Sequence, residues 1–108
     1  AHPLKIISKR STFVLLREKG EFIGGKAYNL QFLEDPNLEN VIFVGFTATK
    51  KLGKSVKRNK AKRIMRELAR KVIAKYGKIN SYYVLIARTP IFEIPFHSQE
   101  MELKKLIA

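Results

Sequence analysis

At 108 residues the chain has room for one domain, residues 1–108, and its 45% apolar content is enough to fold that domain around a core. A formal charge of +13, from 22 Lys and Arg against 9 Asp and Glu, predicts a polyanionic partner. Cysteine is absent, which excludes disulfides and thiolate chemistry, and the longest apolar runs (Val41–Phe46 and Tyr82–Ala87) have six residues where a membrane-spanning helix needs about 20. Basic residues interrupt every apolar stretch before Gly20, so no signal peptide is read there and a cytoplasmic location is expected.

In chain order, Ser8 to Lys19 reads as a short helix, with Ser8 and Ser11 as candidate caps and Gly20 as its stop. Residues 21 to 33 read as strand, bent or bulged at Gly24-Gly25. Within it, Tyr28-Asn29-Leu30-Gln31-Phe32 alternates apolar with polar, which buries one face and turns Asn29 and Gln31 to the other. Glu34-Asp35-Pro36-Asn37 is a turn, with proline where a type I turn takes it. Val41 to Thr49 is a second strand around Gly45, and Thr49 to Ser55 a basic loop containing Gly53.

Val56 to Tyr76 is the longest helix and Gly77 its end. Ala61, Ile64, Met65, Leu68, Val72 and Tyr76 recur at helical spacing and predict its buried side. Tyr82 to Arg88 is a third strand, apolar almost throughout, as interior strands are. Thr89-Pro90 closes it, Pro90 to Pro95 is an apolar loop, and His97 to Ile107 is a last helix. The order α-β-β-α-β-α predicts one mixed sheet with helices packed on it, an α/β arrangement.

The charge is concentrated. Residues 50 to 75 hold twelve basic side chains and a single acid, Glu67, a local charge of +11, while the other 82 residues carry only +2. Such a segment repels itself unless counter-charge comes from outside. At about 100° per residue, Asn59, Lys62, Arg63, Arg66 and Arg70 project on one side of the helix as a comb of donors, and Glu67 is placed to pair with Lys71, four residues on. A nucleic acid is the partner this pattern fits.

Candidate chemistry elsewhere is incomplete. Gly53-Lys54-Ser55 ends like a phosphate-binding P-loop, yet Ala48 stands where that motif needs glycine. Asp35, Asn37 and Glu39 alternate like calcium ligands, yet Asn40 stands at the glycine position. His2 and His97 are isolated, with no partner at ligand spacing. No converging carboxylates suggest a two-metal nuclease. No catalytic residue and no protein-bound metal are expected.

Lys50-Lys51-Leu52-Gly53, followed by Val56-Lys57-Arg58-Asn59-Lys60-Ala61-Lys62-Arg63-Ile64-Met65-Arg66-Glu67, closely resembles the signature of the bacterial ribonuclease P protein component, K-K-x-G and then R-N-R-x-K-R-x-x-R. Phe13, Leu16 and Gly20, Val44-Gly45, and Ile86-Ala87-Arg88-Thr89-Pro90 agree with the flanks of that family, and the resemblance runs from about Ile7 to Ile107. Lys60 replaces the usual third arginine, keeping charge without the bidentate fork. Arg17 stands where many members carry a second aromatic.

The resemblance implies a two-layer sandwich like the second domain of ribosomal protein S5, with a left-handed βαβ crossover around the basic helix. It also implies a subunit of a ribonucleoprotein endoribonuclease that removes the 5′ leader from precursor tRNA. The large RNA is the catalyst there, and Mg²⁺ is held mainly by RNA. Its partners would be that catalytic RNA and the single-stranded 5′ leader, with no membrane and no obligate protein partner. Lys50, Lys51, Lys54, Arg58, Asn59, Lys60, Lys62, Arg63, Arg66 and Arg70 are then the candidate contacts to the large RNA, with Arg58 nearer the apolar border. Phe13, Arg17, Asn29, Gln31 and Arg88 are the candidate leader cleft, a sheet face with flat side chains and a few cations. Two rival readings remain beside it, another RNA-binding protein on the same fold and a free-standing protein nuclease. A repressor fits poorly, because the basic helix follows a strand and loop rather than a helix and tight turn.

Overall fold

The sheet is built around its most apolar strand. A computed structural model describes residues 3–108; Ala1 and His2, and with them the reading of His2 as an isolated histidine, lie outside the described residues. In chain order the elements are β1 (Leu4–Ile6), α1 (Arg10–Lys19), β2 (Glu21–Ile23), β3 (Tyr28–Glu34), β4 (Ile42–Thr47), α2 (Ser55–Leu68), α3 (Ala74–Tyr76), β5 (Ser81–Ala87) and α4 (Phe96–Ile107). Short 3-10 turns at Lys50–Leu52 and Thr89–Phe92 lead out of β4 and β5. The five strands lie in the order β1-β4-β5-β3-β2. β5 is central, parallel to β4 and antiparallel to β3, as its unbroken apolar composition predicts.

Alternation along the strands makes two faces. The inner face carries Tyr28 and Leu30, Ile42 and Val44, and Tyr83 and Leu85, all buried against Ala61, Met65 and Leu68 of α2 and Leu103 of α4. The outer face carries Asn29 and Gln31 on β3, Gly45 and Thr47 on β4, and Val84 and Ile86 on β5. Helix α1 covers part of that face through Leu16, whose burial contributes about 1.5–3 kcal/mol, and through Phe13. The α/β sandwich therefore stands, with one helix on the far side of the sheet.

Gln99 is a polar lock in the inner core. Its Nε2 donates to the carbonyls of Ile91 (3.0 Å) and Ile94 (2.9 Å), and its backbone carbonyl accepts from the Tyr28 hydroxyl at 2.7 Å. Burial pushes the Tyr28 phenol well above the ordinary tyrosine range.

Several local expectations change. The first helix starts at Arg10 with Lys9 at its cap, so Ser8 falls before the cap, Ser11 falls inside the first turn, and neither side chain caps it. The strand read across 21–33 is a hairpin, β2 and β3, folded at Gly24–Lys26. β1 is an additional edge strand, paired in parallel with β4. The long helix runs from residue 55 to 76 but passes through a π turn at Ala69–Ile73. A π turn holds an extra residue and rotates everything after it. Ala69 keeps the regular four-residue step from Ala61 and Met65 into the core, Ile73 joins it, and Tyr76, after the turn, is turned out to 47% exposure instead of being buried.

Candidate nucleic-acid interface

The basic surface begins at the 3-10 turn after β4. Leu52 is buried there and anchors the turn, so its neighbours Lys50, Lys51 and Lys54 stand exposed. Gly53 closes the turn at φ +126°, a conformation that L side chains rarely adopt, and donates its N–H to the Lys50 carbonyl at 3.1 Å. α2 follows with no acid in its first turn, so the positive end of the helix adds to the lysines.

Ala61, Met65 and Leu68 fix one side of α2 in the core, Asn59, Lys62, Arg63, Arg66 and Arg70 are exposed as the spacing predicts, and Lys60 is exposed beside them. Not all of these charges are free. Glu67 pairs with Arg70, three residues on, rather than with Lys71, and the hydrogen bond from Arg70 holds the Glu67 carboxyl below its ordinary range. Lys71 instead sits 5.4 Å from the Phe96 ring centroid, which offers its ammonium an aromatic face. Arg66 lies 5.9 Å from the Phe46 ring, which tethers one tooth of the comb to the sheet. Arg58 is half-buried, and among the described residues its Nε has no hydrogen-bond partner.

The second candidate surface is the outer face that α1 leaves open. Phe13 lies directly over Gly45, and a Cβ at Gly45 would come within 2.7 Å of the ring. Phe13, Arg17, Ser8, Arg10 and Thr47 line a hollow of about 410 Å³. A neighbouring hollow of about 370 Å³ is lined by Asn29, Ile86, Arg88, Thr49 and Lys51. The register Asn29–Ile86–Thr47 runs across three adjacent strands and joins the two. Gln31 is half-buried one pair further along β3, opposite Val84.

The five residues read as the cleft thus share one face, but two of them already hold the chain. The Asn29 Oδ1 accepts from the Gly25 N–H at 3.3 Å, and the Arg88 guanidinium donates to the carbonyls of Gly25 and Lys26. Both brace the turn of the β2–β3 hairpin. Sequence reasoning missed Thr47, the floor between the hollows, and placed Lys51 only on the helix side. It also missed Phe22, exposed on β2 in register with Gln31. Alternation around the Gly24-Gly25 bend was the one signal that could have found it.

Comparison with known proteins gives a consistent picture. The family model for Ribonuclease P matches residues 3–108. The ribonuclease P protein component of Caulobacter vibrioides (strain NA1000 / CB15N) is 40% identical over 89 residues, 81% of this chain and 59% of that relative. The chain therefore spans about three-fifths of the length of that relative. The ribonuclease P protein component of Mesoplasma florum is 31% identical over 103 residues, 95% of this chain and 92% of the relative. The solved RNase P protein from Thermotoga maritima superposes with a TM-score of 0.80 at 23% identity, covering 95% of this chain and 94% of that one. The Staphylococcus aureus RNase P protein superposes at 0.76 and 24% identity, covering 93% and 89%. At these identities the solved structures speak for the fold, a mixed sheet with helices.

Proposed function

The chain belongs to the ribonuclease P protein family, and on that premise we propose that it is the RNA-binding subunit of a ribonucleoprotein endoribonuclease that removes the 5′ leader from precursor tRNA. In this reading the large RNA is the catalyst and the protein supplies no catalytic residue. The loop Lys50–Lys54, the exposed side of α2 from Asn59 to Arg66 with half-buried Arg58 at its border, and Arg70 in the π turn beyond it meet phosphates of the folded large RNA, close together and without sequence preference. The outer-face cleft of Phe13, Arg17, Asn29, Gln31 and Arg88 takes the single-stranded leader by stacking and screened charge. The observation that carries this division is spatial. Most of the +11 segment rides on α2, packed against the inner sheet face, while a less charged cleft with an aromatic wall opens on the outer face and meets that segment only at Lys51.

Magnesium enters the reading as an ion held mainly by RNA phosphates. Among the described residues no three His, Asp or Glu side chains converge, so this chain's donors do not fit a hard cation that wants several oxygens. We place the complex in the cytoplasm with no further obligate protein; no helix described is long and apolar enough to cross a membrane. The test is cleavage of precursor tRNA in Mg²⁺ by the purified protein, by the large RNA, and by both together. Cleavage at the 5′ end of the mature tRNA should require the RNA, and the protein should tighten precursor binding. Cleavage by the protein alone would overturn the proposal.

A further inference from the structure

Three lysines outside the candidate contact set are held against aromatic rings. Lys71 lies 5.4 Å from the centre of the Phe96 ring, and Lys75 and Lys104 lie 5.4 Å and 5.0 Å from that of Tyr76. All three are exposed, and among the described residues none of them pairs with a carboxylate. The arrangement depends on the π turn, which brings Tyr76 out of the core to where Lys104 of α4 reaches its ring. α4 packs beside that turn, and Phe96 and Lys104, eight residues apart, are separated by about 12 Å along its axis. The two rings thus sit in one seam between α4 and the end of the long helix.

An aromatic face holds an ammonium group without neutralising it. A carboxylate cancels the charge, as Glu67 does for Arg70, whereas a ring leaves it available to a second partner. The ring also removes part of the rotamer freedom that a long side chain otherwise loses on binding. Against the three lysines stands one acid at the same helical spacing, half-buried Glu100, a turn from both Phe96 and Lys104. The seam continues the basic side of α2 through a hollow of about 420 Å³ that Lys60, Arg63, Ile64 and Glu67 share with Phe96. The leader cleft lies across the sheet, on its outer face. We propose that Lys71, Lys75 and Lys104, held by Phe96 and Tyr76, form a second phosphate-binding track for the large RNA, which extends its contact from α2 onto α4. The inference rests on the large RNA as the partner of α2 and adds residues that lie beyond the comb.

Titration of the large RNA with the full chain at several salt concentrations tests this, with precursor and mature tRNA binding measured in the reconstituted complex. Lys75→Gln together with Lys104→Gln should lower the slope of log affinity against log salt by about 1.8 if both meet duplex phosphates, or by about 1.4 on an unpaired strand. Tyr76→Leu removes the ring and keeps both charges, so it should keep the slope and weaken binding about threefold, while Tyr76→Phe should match wild type. The precursor-over-mature affinity ratio should stay at its wild-type value in all of them. If the lysine pair leaves the slope unchanged while Arg63→Ala with Arg66→Ala lowers it, the track is wrong and the comb stands. If neither pair lowers it, both readings fall. A loss seen only with precursor tRNA also overturns the track, because it assigns the lysines to the substrate. Tyr76→Leu at wild-type affinity would overturn the holding role of the ring.

Discussion

Adding one methyl group at Gly45 should move the aromatic wall of the cleft. The Cβ of Gly45→Ala would stand 2.7 Å and 2.9 Å from two carbons of the Phe13 ring and 3.2 Å from Ile7 Cδ1. Carbon atoms pack at about 3.5–4.0 Å, so the ring must give way by nearly 1 Å. It is hemmed in by the cluster of Ile7, Leu16 and Val84, and overpacking of this kind costs about 1–3 kcal/mol. In a Phe13→Ala background the clash is gone, and the added methyl should cost less than about 0.5 kcal/mol, the usual limit of additivity error. Urea denaturation of the four proteins in this cycle, at unchanged m-value, gives the coupling directly. In the reconstituted complex, Gly45→Ala should also lower the precursor-over-mature affinity ratio, as Phe13→Ala does. If Gly45→Ala costs the same with and without the ring, the contact is not what requires glycine and the reasoning fails.

Replacing Arg63 and Arg66 by alanine should lower the slope of log affinity against log salt for the large RNA by about 1.8 if both meet duplex phosphates; an unchanged slope would mean that they only face solvent. Sulfate should raise the melting temperature more than chloride at equal ionic strength, because anions bound by the native +11 segment stabilise it by mass action, about 2.7 kcal/mol at a hundred times the dissociation constant; equal midpoints would reduce the effect to screening. Tyr28→Phe should cost about 1 kcal/mol near neutrality by removing the bond to the Gln99 carbonyl. Burial raises the Tyr28 pKa above its ordinary 10.0, so the native state keeps a proton that the unfolded chain releases, and wild-type stability falls above pH 10 by up to about 1.4 kcal/mol per pH unit from this group. The variant lacks that loss, so the gap between the two should narrow as pH rises past 10; parallel curves would refute it.

Patterns that repeat were legible in the residues alone. The continuous apolar run of β5, the alternation in β3 and the unpaired cations of α2 each put a periodic signal above the noise, and the structure has them as the central strand, a two-faced strand and an exposed comb. What was not legible depends on partners distant in sequence or on a change of period. β1 has three residues, too few to show alternation, and exists because β4 offers it an edge at Ile42–Val44. The π turn changes helix phase without any residue that announces it, which is why Tyr76 was placed inside. Glu67 had cations at both three and four residues' distance, and nearby Phe96 draws Lys71 away. Asn29 and Arg88 are on the expected face, but their bonds to Gly25 and Lys26 arise only when the hairpin folds back to meet the end of β5.

The parallel pairing of β4 with β5 has a kinetic consequence. These strands are hydrogen-bonded neighbours from Ile42–Ser81 to Thr47–Ile86, and the whole basic segment of residues 50–75 lies in the crossover between them. The centre of the sheet therefore cannot assemble until that self-repelling stretch has collapsed across it. Loop closure over such a separation is already slow, because its entropy is lost before any contact compensates. A polyanion in solution would act on this step by shielding the crossover while it closes. If the partner is the polyanion proposed above, its presence would be felt as a faster folding rate before it is felt as binding.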